Sequence, residues 1–239
     1  MYVQHTHHLN RKKFSSVVRT MALGKFNRNP LVVAGTQDNK LIVMNSQFIP
    51  LQIIPFKKWV RCVACADFNE NGKSEIVAGS GDKTLRVFAY DSKQKKFVEK
   101  AQTEFEDFVD CCSIADVNGD GNLNIVAGSW DQTIKVFSYT SDLKEEVNDS
   151  EGNAQLEDPE NAQKEVEKGQ LELMWQVELP KAIRNCAVAD INWDGVPNIV
   201  VLYKQGGFCV LDTEFGEILW DHHDLTKKDL KGVAIAPLD

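Results

Sequence analysis

Three short segments bring oxygen-bearing side chains together at alternating positions. Asp67, Asn69 and Asn71 lead to Gly72, Asp116, Asn118 and Asp120 lead to Gly121, and Asp190, Asn192 and Asp194 lead to Gly195. Oxygens at positions 1, 3 and 5, with glycine at 6 for a sharp turn, suit a hard cation such as Ca2+. Position 7 would add a backbone carbonyl, from Lys73, Asn122 or Val196. Position 9 would add a side-chain oxygen, from Glu75, Asn124 or Asn198. Each set holds only two carboxylates: Asp67 with Glu75, Asp116 with Asp120, and Asp190 with Asp194. So few charged ligands predict weak binding, on the order of 10⁻⁴–10⁻³ M. The alternative needs no metal, because Asp and Asn side chains can accept backbone N–H groups and fold such turns unaided. The fold therefore requires no cofactor, and Ca2+ at low affinity is the one these residues admit.

Other chemistries find no support in spacing. A helix–loop–helix calcium site needs Glu at position 12. Those positions hold Ala78, Ala127 and Val201, and strand-like segments follow. The chain has no G-x-S-x-G elbow, phosphate-binding glycine loop or H-E-x-x-H pair, so no catalytic residue is assigned. Cys62 and Cys65 form C-V-A-C, but in a strand that spacing points the two thiols to opposite faces. No second such pair exists, and the six cysteines read as small core residues kept reduced. A metal site joining His5 and His7 to His222 and His223 would need the two ends to meet.

Composition narrows the class. The 239 residues are 43% hydrophobic and 26% charged, as in an ordinary globular protein. No apolar run reaches the roughly 18 residues of a membrane helix, and M-Y-V-Q-H-T-H-H-L lacks a signal peptide's apolar centre. A cytoplasmic protein with no membrane insertion is expected. The net charge of -8 is concentrated: residues 141–170 carry ten acids and three bases, leaving -7 in that segment. Few large apolar residues interrupt it, so a disordered acidic insertion is expected. No basic footprint for nucleic acid is evident.

The elements that must hold the loops recur. Residues 19–44, 61–88, 110–137 and 185–211 align, with Gly35, Gly79 and Gly128 at equivalent points. Removing the acidic segment gives a period of about 46 residues, in the range of propeller blades. Each repeat reads as a buried strand, a loop, a second buried strand such as I-V-A-G, a turn (G-D-K or W-D-Q), and a half-exposed strand such as T-L-R-V-F. An outer fourth strand follows, K-F-V-E-K-A in the second repeat. The prediction is all-β: one β-propeller domain over 1–239, with complete blades at about 10–57, 58–105, 106–179 and 180–228. Residues 1–9 resemble a fourth strand and 231–238 a first strand, so together they would form part of an incomplete fifth blade. The leading expectation is the N-terminal part of a larger ring; completion by another propeller chain or a second copy is the alternative, ahead of a distorted five-bladed closure. The first repeat has Lys25 in place of the leading Asp and binds nothing. Trp59, Trp130, Trp193 and Trp220 suit blade packing, although Trp130 and Trp193 lie in turns where exposure would make them interface anchors.

The recurring D-x-N-x-x-G loop between two short strands resembles the FG-GAP/VCBS repeats of integrin α-type propellers. G-S-W-D-Q-T-I-K-V-F also resembles the end of a WD repeat. That family usually has Gly-His before strand one and Trp-Asp at the end of strand three. Here Gly-His is missing, and Trp130-Asp131 precedes strand three. The FG-GAP-like reading is therefore preferred, and both imply a propeller. The segment M-A-L-G-K-F-N-R-N-P-L-V-V-A-G-T-Q-D-N-K-L-I-V-M-N is similar to an opening blade of the Bardet–Biedl ciliary coat propellers. That resemblance implies a non-enzymatic scaffold assembling with other proteins in a trafficking or ciliary-coat-like complex. The alternatives are a calcium-dependent ligand- or carbohydrate-recognition propeller and a WD-repeat-type scaffold.

Overall fold

The computed structural model describes residues 13–141 and 169–222. The strands expected over 1–9 and 231–238 fall outside them, as do all but the margins of the acidic 141–170 segment. His5, His7, His8 and His223 also fall outside; His222 ends the last described strand. Among the described residues there is no helix, so none is long and apolar enough to cross a membrane. The described residues form sixteen strands in four separate antiparallel sheets, each hydrogen-bonded in chain order. Blade 1 holds β1 (Val18–Phe26), β2 (Asn29–Thr36), β3 (Lys40–Asn45) and β4 (Pro50–Pro55). Blade 2 holds β5 (Val60–Ala66), β6 (Glu75–Ser80), β7 (Thr84–Asp91) and β8 (Lys96–Glu104). Blade 3 holds β9 (Val109–Ala115), β10 (Asn124–Ser129), β11 (Thr133–Thr140) and β12 (Gln170–Glu178). Blade 4 holds β13 (Ile183–Ala189), β14 (Asn198–Tyr203), β15 (Phe208–Leu211) and β16 (Ile218–His222). This is the all-β propeller architecture that the repeats predict.

The blades stack face to face. First strands meet first strands, β1 with β5, β5 with β9 and β9 with β13, so these strands line the axis. Along β6 successive side chains serve opposite neighbours. Ile76 and Ala78 pack with Leu31, Val33, Leu41 and Val43 of blade 1. Val77 packs with Val109, Ile125 and Ala127 of blade 3. The same division places Val126 and Val136 against Ile183, Ile199 and Val201 of blade 4. Both faces of the middle strands of blades 2 and 3 are thus covered, which is why β6 and β10 share an apolar I-V-A-G centre and are buried at every residue. Each fully buried Val or Ile contributes about 1.5–3 kcal/mol by area removed from water.

Close approach between blades fixes one residue type. A Cβ on Gly79 would strike Cys62 Sγ and come within 2.7 Å of Val109 Cγ1 in the next blade's first strand. Gly35 and Gly128 are crowded in the same way, by Val60 and Ile183. In blade 4 the position is Leu202, paired with Asn185 as Gly79 is paired with Cys62. Among the described residues no further blade packs there.

On the side of blade 1 away from blade 2, Val32, Ala34 and Met44 are buried with Phe14 and Phe48, while side chains of the first and fourth strands stay exposed. Leu23 lies opposite Val32, Met21 opposite Ala34, and Ile53 opposite Ile42. Met21, Leu23, Leu51 and Ile53 are all more than half exposed or at that limit, Leu23 reaching 74%.

Candidate functional site

The two ends of the blades are built differently. At one end lie the loops between the first and second strands of blades 2, 3 and 4. With the first residue of each following strand, these contain all fifteen candidate ligands: Asp67, Asn69, Asn71, Lys73 and Glu75; Asp116, Asn118, Asp120, Asn122 and Asn124; and Asp190, Asn192, Asp194, Val196 and Asn198. The glycines at position 6 have the positive φ that the turn demands, 81°, 86° and 88° for Gly72, Gly121 and Gly195. Position 4 is also left-handed in each loop, at Glu70, Gly119 and Trp193.

The leading aspartates turn onto their own loops. Asp67 accepts the Asn71 and Gly72 N–H groups at 3.0 and 2.7 Å. Asp116 accepts those of Gly119 and Gly121, both at 2.8 Å. Asp190 accepts those of Trp193 and Gly195 at 2.7 and 2.8 Å. Asn71, Asp120 and Asp194 accept the N–H two residues ahead, from Lys73, Asn122 and Val196. That bond from Asn122 is the main reason the Asp120 carboxyl lies below its ordinary range. At position 9, Glu75 accepts the Phe68 N–H at 3.0 Å and Asn124 accepts that of Val117 at 3.0 Å. Asn198 Oδ1 is buried with no hydrogen-bond partner. Burial pushes the Glu75 carboxyl above its ordinary range, and the nearby Asp67 charge adds to this. Both oxygens of each leading aspartate are therefore committed to backbone donors. Among the described residues no three His, Cys, Asp or Glu side chains gather as a cation site.

The cysteines are all free thiols. Cys62 packs toward blade 3 and Cys65 toward blade 2's other face, the separation that the strand spacing predicts. Burial pushes the Cys65 thiol up to about 12 and the Cys209 thiol up to about 11, so both stay protonated and unreactive at neutral pH.

The opposite end carries a polar cluster that the loop motifs do not announce. Each first strand has a bulge at the same place. The extra residues are Arg19, between Val18 and Thr20; Arg61, between Val60 and Cys62; Asp110, between Val109 and Cys111; and Arg184, between Ile183 and Asn185. A bulge re-aims its side chain. All four line one cavity of about 220 Å³ at the axis, together with Thr20 and Asn185. Arg61 Nε donates to Asp110 Oδ1 at 2.6 Å, and Arg184 Nη1 donates to Asp110 Oδ2 at 3.0 Å. Trp130 Nε1 also donates to Oδ2, at 2.8 Å. The Arg61 and Asp110 side chains are only 6% and 7% exposed. One carboxylate thus links blades 2, 3 and 4.

Aromatic rings frame this cluster. Arg61 lies over Trp130 at 4.7 Å and over Phe108 at 5.2 Å, and Lys204 approaches the Trp130 ring at 3.2 Å. Trp130 is accordingly half-buried and folded toward the axis, not an exposed turn residue. Arg19 lies over Trp59 at 4.8 Å and, among the described residues, makes no ion pair. Trp193 is the turn tryptophan that stands out, at 68% exposed.

Comparison with known proteins adds the family. The family model described as KICSTOR complex protein kaptin matches residues 95–219, from the turn before β8 into β16. The WD domain, G-beta repeat, matches residues 50–88, from β4 into β7. No curated protein matches the chain.

Proposed function

The chain belongs to the KICSTOR complex protein kaptin family, whose model covers more than half of it, and from that premise we propose a non-enzymatic propeller scaffold working as a subunit of a cytoplasmic protein complex. The observation carrying this reading is an apolar group at the loop end of blade 4. Trp193, Val196 and Phe215 are 68%, 53% and 66% exposed. Their two loops are tied together, since Thr213 Oγ1 donates to the Pro197 carbonyl at 3.1 Å. Trp193 holds this exposure with φ at 63°, a conformation that an aromatic residue adopts at a cost. Large exposed aromatics on a rigid blade suit anchoring to a partner protein.

The exposed apolar side chains of β1 and β4, Met21, Leu23, Leu51 and Ile53, support a second contact, to a further blade from another propeller chain or a second copy. The three D-x-N-x-x-G loops support reading the blades as FG-GAP/VCBS-like, and the WD match gives the WD-type scaffold its own support. Within either reading the loops are metal-free folding units, because their leading aspartates already hold backbone N–H groups. Thermal melting should then be unchanged by Ca2+ up to about 1 mM, the weak end of loop affinities; a rise at sub-millimolar Ca2+ would contradict this.

The test of the scaffold is co-purification of the tagged full chain from cells, followed by identification of its companions. Trp193→Ala with Phe215→Ala should release a stoichiometric partner while leaving the melting temperature unchanged. Retention of every companion, or the absence of any, would sink the proposal.

A further inference from the structure

The axial cavity holds more positive charge than the fold consumes. Its lining carries three guanidiniums, from Arg19, Arg61 and Arg184, and one carboxylate, from Asp110. That carboxylate is saturated by Arg61, Arg184 and the Trp130 indole. A purely structural ion pair would need Arg61 and Asp110 alone. Arg184 stays 27% exposed beside them, and Arg19 faces the same cavity with no acid paired to it among the described residues. Thr20 and Asn185 supply neutral polar groups on the same wall. This excess sits in a chain whose net charge is -8. A guanidinium presents a planar fork of donors matched to an oxyanion, and partial burial strengthens such bonds.

We propose that the cavity at the axial mouth is an oxyanion site that receives the carboxylate side chains of an acidic segment of a partner protein, gripped by Arg19 and Arg184 while Asp110 holds Arg61 in place. The inference rests on the scaffold reading and assigns its axial end a partner chemistry. Charge complementarity selects an acidic peptide. The volume, about 220 Å³, takes one or two side-chain carboxyl groups and no folded domain. The strand ends that flank residues 142–168, Thr140 and Gln170, pair at the other end of blade 3, so a partner's acidic segment is the occupant proposed. Ser141 there accepts a hydrogen bond from Asn69 of the blade 2 loop at 3.0 Å.

The tryptophans provide the readout. Trp59 and Trp130 lie against Arg19 and Arg61, so their emission reports occupancy. The full chain is titrated with a short Glu–Gly peptide, its Gln–Gly counterpart, a phosphoserine–Gly peptide and inorganic phosphate. The Glu–Gly peptide should bind, more weakly as salt is raised, and the Gln–Gly peptide should not. Arg19→Ala and Arg184→Ala should each weaken binding at least tenfold, the scale of one lost charge-assisted hydrogen bond. Lys96→Ala, at the loop end, should leave it unchanged. Arg19 is exposed and outside the ion-pair network, so Arg19→Ala carries the test if Arg184→Ala melts early. No preference for Glu–Gly over Gln–Gly would overturn the proposal, as would equal weakening by Lys96→Ala. Binding of phosphoserine–Gly or phosphate without Glu–Gly would overturn the carboxylate assignment. Should Glu–Gly fail while companions still co-purify through the loop end, this inference falls and the scaffold reading stands.

Discussion

The axial mouth and the D-x-N-x-x-G loops both rest on aspartates, yet the two ends use them in opposite ways. Asp116 spends its oxygens on N–H groups three and five residues ahead. Asp110 spends its oxygens on side chains 49 and 74 residues away, and on a tryptophan in its own blade. The first arrangement folds a loop and leaves its neighbours untouched. The second joins three blades through one buried carboxylate. Position relative to the axis, more than residue type, decides whether an aspartate is a local or a global element.

That contrast predicts unequal costs. Asp110→Ala leaves the Arg61 guanidinium buried without its partner, so a loss of about 3–5 kcal/mol is expected. Asp116→Ala only frees two N–H groups at a partly solvated loop, where water can replace the carboxylate, and should cost about 1 kcal/mol. Urea denaturation of the two variants checks the ranking; equal losses would remove the distinction. The smallest effect belongs to Glu75. Burial raises its carboxyl above the unfolded value, so the folded chain binds that proton more tightly than the unfolded chain. The resulting cost is absent below the unfolded value, near 4.3, and grows as pH rises through the folded one. Glu75→Gln keeps an acceptor for the Phe68 N–H and removes the buried charge. It should raise the urea midpoint at pH 8 and change it less at pH 4.5. A loss of stability at both pH values would contradict this account.

Much of this was legible in the sequence, for reasons that differ by region. The middle strands are readable because covering both faces forces runs such as I-V-A-G, and the glycine there marks contact with the next blade. The loops are readable because donor and acceptor lie within five residues, so the D-x-N-x-x-G spacing already contains the bond pattern. The mouth was not read. Arg61 and Asp110 meet only after two blades have formed, and no local rule pairs them. The signal lay in the alignment: the residue before Thr20, Cys62, Cys111 and Asn185 is Arg, Arg, Asp and Arg. The bulges that turn those residues inward have no signature in composition. For the same reason the turn position of Trp130 leaves packing and exposure both open in the sequence, although the carboxylate it reaches belongs to the start of its own blade. Residues 95–219 carry the family match and contain Asp110, Trp130 and Arg184, whereas Arg19 and Arg61 precede it, so the match spans only part of the cluster.

The central claim is that the mouth couples blades while the loops do not. Hydrogen exchange read by mass spectrometry, on Asp110→Asn and Asp116→Asn beside the unmodified chain, tests it most directly. Asp110→Asn should lower protection together in β5, β9 and β13, the first strands of three blades. Asp116→Asn should lower it only between β9 and β10. If Asp110→Asn affects blade 3 alone, or if Asp116→Asn spreads across blades as widely, the coupling assigned to the mouth is wrong.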